Sequence, residues 1–566
     1  MKQIWLLFLC LSSLLCKAQE KVFFNAKIFT ADPQKPFADA IAIKGKIISA
    51  VGNLHEVKGS VSVNAEWIDV KGGFLMPGLI DTHNHGIDGG IGLTKANISD
   101  QLLSVAEIHT YAKEVLKNKE GMTGDVLVIY GINISTWESL DQISKNFNSG
   151  EFENQPLILR GSDYHTSFCN KAMMKKAGIN KAYIRTLKKE EQNYFEKDSE
   201  GEPSGFITEN GYRKIESALV VESDFSKAAE KTILYNNKFG ITAWLDPSVT
   251  SLKNSSRNML DWYRYLSNTG KLSAHVAATV VADIDSDPQP QIDKVKMLQK
   301  KYSYTDFAII GFKVFADGVI EFPTHTAALS IPYTGTQSKG DLMMDPKKFA
   351  HFATMADKNS LLVHVHAIGD RAVTETLNGF EEARKINRNS WIPHTITHLQ
   401  IVKPSDFNRF GQLNVLTSFQ LYWAFGDATT IDIVKPYIDP ALYQWQYPVR
   451  SLLQAGATIT GASDWPVSTA NPFEAISRAE TRKGPMGVLD STQCMPRMTM
   501  LYAYTSEAAK ALLLEKKIGS LEAGKYADFI LLDRDILTIT PEALMNTRVL
   551  WTMFEGRIVY EAENRK

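Results

Sequence analysis

Five short polar motifs, each closing an apolar run, constrain this chain more than any other feature. They are Asp81-Thr82-His83-Asn84-His85, Lys313 within the run 311–318, and His364-Val365-His366 leading to Asp370. Thr397-His398 and Ser463-Asp464-Trp465-Pro466 complete the set. Apolar runs that end this way and alternate with helical patterns suit parallel strands whose C-terminal ends converge. A β/α barrel draws its catalytic residues from such ends. His83 and His85, at i and i+2 of an extended segment, share one face and can reach one ion. Imidazole nitrogen and carboxylate oxygen are donors that zinc and similar divalent ions accept.

Eight runs supply the strands of a TIM-like (β/α)8 barrel: 74–81, 240–246, 275–281, 307–315, 360–366, 394–398, 414–420 and 458–463. Two further strand-like runs, 126–133 and 157–165, are left over, and place an insertion at about 120–225 between the first and second strands. Both ends of the chain are rich in short strand patterns, around 22–70 and 528–560, with Lys44-Gly45 and Glu555-Gly556 as hairpin turns. The predicted α/β organisation is a barrel over 77–513 and a small β-sandwich domain built from both termini, 19–76 plus 514–566.

The first residues read as a secretory signal: Lys2, an apolar stretch of roughly 12 residues from Ile4, and small residues ending at Ala18. That stretch is too short to span a bilayer, which takes about 20 residues, so residues 1–18 are expected to be removed, with no membrane insertion afterwards. The expected location is the periplasm or the exterior, and lipidation at Cys16 is a weaker alternative. Two cysteines, Cys169 and Cys494, then remain in the mature chain, too few for a disulfide scaffold. The net charge of −1 offers no field to attract nucleic acid. The expected partner is a small-molecule substrate, and a homodimer is compatible with the sequence.

Taken together, Pro77-Gly78-Leu79-Ile80-Asp81-x-His83-x-His85, the strand-end Lys313, His366, His398 and Asp464 resemble the amidohydrolase superfamily. The wordings Lys313-Val-Phe-Ala-Asp317-Gly318, His366-Ala-Ile-Gly-Asp370-Arg371 and Gly461-Ala-Ser-Asp464-Trp-Pro are similar to its amidohydrolase-3 branch, which includes N-substituted formamide deformylases. So does the terminal Gly519-Ser-Leu-Glu-Ala-Gly-Lys-Tyr-Ala-Asp528. The resemblance implies that His83, His85 and Asp464 hold one divalent metal ion and that His366 and His398 hold a second, zinc being the expected metal. It also implies that Lys313 bridges the two as a carboxylated lysine, formed with carbon dioxide. The physics agrees, because an ammonium has donors and no acceptor, whereas a carbamate offers two oxygens. His364 copies the His-x-His spacing, but the similar phrase begins at His366, so His364 is expected beside the ligand set.

The resemblance further implies hydrolysis of a C–N (amide) bond, in an N-acyl or N-formyl amine, with Asp464 as general base. Asp163-Tyr164-His165 through Asn170 resembles a pocket phrase, making His165 and Asn170 candidate substrate contacts. Trp137, Tyr422 and Trp423 are candidate apolar walls. Two rival readings stay open: a mononuclear zinc deaminase or cyclic-amide hydrolase, and a non-catalytic extracytoplasmic binding protein. No Gly-x-Ser-x-Gly elbow frames a serine nucleophile.

Overall fold

The apolar runs pair side by side in chain order. In the computed structural model, which describes residues 20–99, 101–189, 191–219, 225–252, 258–388 and 391–563, they form one eight-stranded parallel sheet. Its strands are β1 (Leu79–Asp81), β2 (Ile241–Ser251), β3 (His275–Val281), β4 (Phe307–Phe315), β5 (Leu362–Ala367), β6 (His394–His398), β7 (Val415–Phe419) and β8 (Ile459–Gly461). Each pairs with its neighbour, from β1 against β2 to β7 against β8. Helices on the outside bury the strands on both faces, so the strands read as near-continuous apolar runs. Asx-Pro dipeptides start three of the outer helices: Asp287, Asp345 and Asn471 each accept a backbone N–H, with proline next in the chain.

Side chains and backbone beyond the strand ends join the first strand to the last. The Thr82 N–H donates to the Gly461 carbonyl at 3.1 Å, and its hydroxyl meets Ser418 at 2.8 Å and Thr460 at 3.1 Å. The Asp81 carboxylate accepts from the Ser463 N–H and hydroxyl and from the His83 N–H. Below the mouth the barrel interior is thus a layer of paired hydroxyls. The sheet curls into a nearly closed TIM-like barrel.

The run 74–81 is not one strand. Phe74–Pro77 pairs with Phe529–Leu532 and Lys27–Phe29 in a separate sheet, and the chain enters the barrel only after Gly78. A Cβ at Gly78 would lie 2.1 Å from the Thr242 hydroxyl, which explains the glycine at this crossing. The run starting at Val22 also splits: Glu20–Phe24 joins a four-stranded sheet and Lys27–Phe29 a six-stranded one, with Asn25 between them at φ 54°. The four-stranded sheet uses strands near the N-terminus, the six-stranded sheet strands from both ends of the chain, and the two share a core including Phe23, Ile41, Leu75, Phe529 and Trp551.

His275, at the start of β3, ties these sheets to the barrel. Its Nε2 lies 2.9 Å from Asp528 and its Nδ1 3.1 Å from Asp306. Burial pulls its pKa down, but the two carboxylates outweigh burial and lift it to about 9.

Between β1 and β2 the chain builds another sheet, including Val126–Ile132, Leu157–Gly161, Thr166–Cys169 and Pro203–Thr208. Ala96–Asn97 already pairs with Val126–Ile132, so this body begins well before residue 120. Cys169 is buried and Cys494 half-buried, both as free thiols. Among the described residues no helix is long and apolar enough to cross a membrane. Residues 1–18, expected to be a signal, lie outside them.

Candidate metal centre

The seam between β1 and β8 brings together residues far apart in the chain. His83 and His85 follow β1, Asp464 follows β8, and one Asp464 carboxylate oxygen (Oδ1) lies 3.3 Å from the Nε2 of each imidazole. That oxygen is buried and accepts no hydrogen bond. Three donor atoms within 4.8 Å of one another, one an orphaned carboxylate oxygen, fit a divalent cation. His398, at the end of β6, places its ring 5.1 Å from that of His83, and His366 on β5 stands 4.4 Å from His398. Lys313, on β4, is buried and lines the same cavity as these five residues.

Each of the four imidazoles has one ring nitrogen engaged by the protein, leaving the other for an ion. His83 Nδ1 meets His364 Nε2 at 2.7 Å, and His85 Nδ1 meets the Ser248 hydroxyl at 3.1 Å. His398 Nδ1 meets Gln420 Oε1 at 3.0 Å, and His366 Nε2 lies 3.0 Å from the Gly318 carbonyl oxygen. Such partners fix ring orientation and tautomer around a metal. His364 therefore acts on His83 from behind; its own Nδ1 is buried without a partner. Ser248, Gln420 and the Gly318 carbonyl were not legible in the sequence, since each is defined by what it touches.

Two of the converging residues adopt the left-handed backbone region: Asp464 at φ 56° and His398 at φ 77°. Non-glycine residues held there cost of order 1–3 kcal/mol each and cluster at functional sites. Both side chains line the cavity at the barrel mouth.

Burial, followed by the nearby Lys313, holds the pKa values of His83, His364 and His366 well below the ordinary imidazole value. Burial does the same to His398, aided first by His366. Neutral imidazoles keep the lone pairs that ligation needs. Burial also lowers Lys313 to about 7, with Asp464 opposing it, so the neutral amine is accessible near neutral pH. Asp464 itself is pushed up by burial, yet its contact with His85 and the charges around it leave it below the usual carboxylate range.

Neighbouring carboxylates brace this arrangement. Asp317 accepts backbone N–H groups from Ala328, Ile368 and Gly369, and Asp370 accepts from Ser330. His394, at the opposite end of β6, accepts from the Val363 N–H, far from the mouth.

The cluster stands between two chambers, of about 350 and 170 Å3, that share Asp163, His165, His366, His398, Asp464 and Val467. His165 lies on that shared wall, its Nδ1 2.9 Å from Glu209. Burial depresses its pKa, but Glu209 and Asp163 overcome this and raise it to about 9. Trp423 and Tyr422 line the smaller chamber, Trp423 stacked on His398 at 5.9 Å.

Asn170 and Trp137 need correcting, because neither lines a chamber. Asn170 caps the helix Lys171–Ala177 and spends its amide on Leu157, Met173, Phe147, Phe152 and Gln155. Trp137 is buried against Phe206 and donates to the Thr166 hydroxyl. Both are core residues of the body between β1 and β2. Their place in that core depends on packing that no local sequence pattern records.

Comparison with known proteins agrees with the geometry. The chain is 27% identical to the Arabidopsis thaliana protein LONG AFTER FAR-RED 3, covering 90% of this chain and 86% of that one. It is 25% identical to N-substituted formamide deformylase of Arthrobacter pascens, covering 96% and 98% respectively. The fold is shared with an uncharacterized metal-dependent hydrolase from Pyrococcus horikoshii at TM-score 0.70 and 22% identity, over 93% of this chain and 99% of the other. The sequence model of the amidohydrolase family matches residues 66–560, a span that holds every strand end carrying a site residue, and the chain belongs to that family.

Proposed function

We propose that this protein hydrolyses the amide C–N bond of an N-acyl or N-formyl amine at the barrel mouth, with Asp464 as general base. The observation that carries the reading is the orphaned Asp464 oxygen facing His83 and His85, with Lys313, His366 and His398 around the same cavity. His83, His85 and Asp464 would hold one divalent ion, and His366 and His398 a second. Lys313, its amine made reactive by burial, would bridge them as a carbamate. Zinc suits this donor set. Bound ions would supply water activation near neutral pH and polarisation of the amide carbonyl. Asp464 takes the proton of the attacking water and passes it to the leaving nitrogen. His165, charged and fixed by Glu209, is placed to orient the amide. The relation to a formamide deformylase over nearly all of both chains supports this class of substrate.

We read the two end-built sheets as one β-sandwich domain, and the body between β1 and β2 as the insertion that walls the pocket. The N-terminal signal pattern supports an exported enzyme.

The test is elemental analysis of mature protein purified with bicarbonate, together with an assay on N-acyl amines. About two ions per chain, falling to one in Lys313→Ala with loss of hydrolysis, is the expected result. One ion that survives Lys313→Ala would turn the reading toward a mononuclear deaminase. Removal of metal by a chelator should abolish hydrolysis, and added zinc should restore it.

A further inference from the structure

The smaller chamber has a chemical character that the metal centre does not explain. Tyr422, Trp423, Phe425 and Tyr447 line it with aromatic surface, and Trp423 presses against His398, so this surface begins at the reacting centre. Its charged lining is mostly acidic: Asp163, Glu321 and Asp427 line it, His165 is already paired with Glu209, and among the described residues no lysine or arginine lines it. Asp427 accepts from the Thr430 N–H and feels Arg478, which stacks on Phe425 at 3.4 Å. Glu321 is less compensated. It accepts from its own backbone N–H and from the Gln400 amide at 3.2 Å, and the charges around it are Asp163 and, in opposition, His165. Burial holds its pKa above the ordinary carboxylate value, with Asp163 adding to the rise and the hydrogen bonds it accepts and His165 opposing it.

A half-buried carboxylate in a chamber that aromatic side chains also line can receive an organic cation. Aromatic faces attract an ammonium through their quadrupole. A carboxylate at an effective dielectric of about 20 adds attraction that bulk water would remove. We propose that one substituent of the scissile amide is an aryl group bearing a protonated amine, seated in this chamber with its ammonium on Glu321. The other substituent then occupies the wider chamber. This rests on the amide-hydrolase reading and names the substrate class of that site.

Three matched acetamides test it on the metal-loaded enzyme: those of benzylamine, of 1,4-bis(aminomethyl)benzene acylated once, and of 4-(aminomethyl)benzoic acid. They differ only in a neutral, cationic or anionic group at the far end of the ring. The expected order of kcat/KM is cationic, neutral, anionic, with about tenfold or more between the first two. In Glu321→Gln the cationic-to-neutral ratio should fall to near one, with metal content and melting temperature of the variant checked alongside. A wild-type ratio near one, or a preference that survives Glu321→Gln, overturns the proposal.

Should neither the three acetamides nor the matching formamides be hydrolysed, the amide-hydrolase reading fails, and direct binding decides the chamber by itself. Calorimetric titration with free 1,4-bis(aminomethyl)benzene should show about tenfold tighter binding to wild type than to Glu321→Gln. Equal affinity, or no binding, overturns it.

Discussion

At the scale of single residues, what distinguishes the site is that its imidazoles are held from behind. His364 is the clearest case, because its spacing from His366 makes it look like a ligand, while its Nε2 is given to His83. His364→Ala is expected to keep the full metal complement at saturation but to weaken affinity by about 10–100-fold, the usual cost of losing such a partner. Competition against a metal chelator measures this, and loss of an ion at saturating metal would promote His364 to a ligand. Gln420→Leu should act alike through His398. The histidines and Asp464 were legible because metal chemistry uses few residue types and places them at strand ends. Asn170 and Trp137 were misread because a helix cap and a packed indole look, in sequence, like pocket residues.

At the scale of elements, the join between the first and last barrel strands carries the site. Asp81 stands there, buried, its pKa lifted to about 6 by desolvation against four hydrogen bonds that favour its charged form. Asp81→Ala would strand the Ser463 and His83 N–H groups, each orphaned buried donor costing about 1–3 kcal/mol. Denaturant unfolding of the metal-free variant should show a loss of that order, together with weaker metal binding, since Asp464 adjoins the disrupted turn. A variant of unchanged stability would show that the join is held elsewhere. All eight barrel strands could be read from their apolar runs. The break at Gly78 could not, because Phe74 to Asp81 is uniformly apolar up to its last residue and only the partners of each half differ.

On the scale of the whole molecule, this is a metal-dependent hydrolase of the amidohydrolase family whose barrel floor is clamped to the sheets built from the chain ends. The clamp titrates. His275 has a folded pKa of about 9 against an ordinary value of 6.5, so its stabilisation is complete below pH 6.5 and is lost as pH rises through 9. The shift corresponds to about 3 kcal/mol at most. Melting temperature should therefore decline between pH 6.5 and 9, and His275→Gln should flatten that decline while lowering stability at pH 6. An unchanged profile in the variant would assign the decline to other groups.

The sequence by itself pointed to the barrel and to the histidines and Asp464 that gather at its strand ends, because apolar periodicity and the polar residues closing each run are both local signals. Which imidazole nitrogen the protein engages, which histidine stands behind another, and which of the candidate aromatic side chains wall a chamber were decided only by tertiary structure. The reason is that these depend on contacts between strands hundreds of residues apart, as when Asp464 comes to face His83 and His85 across the seam.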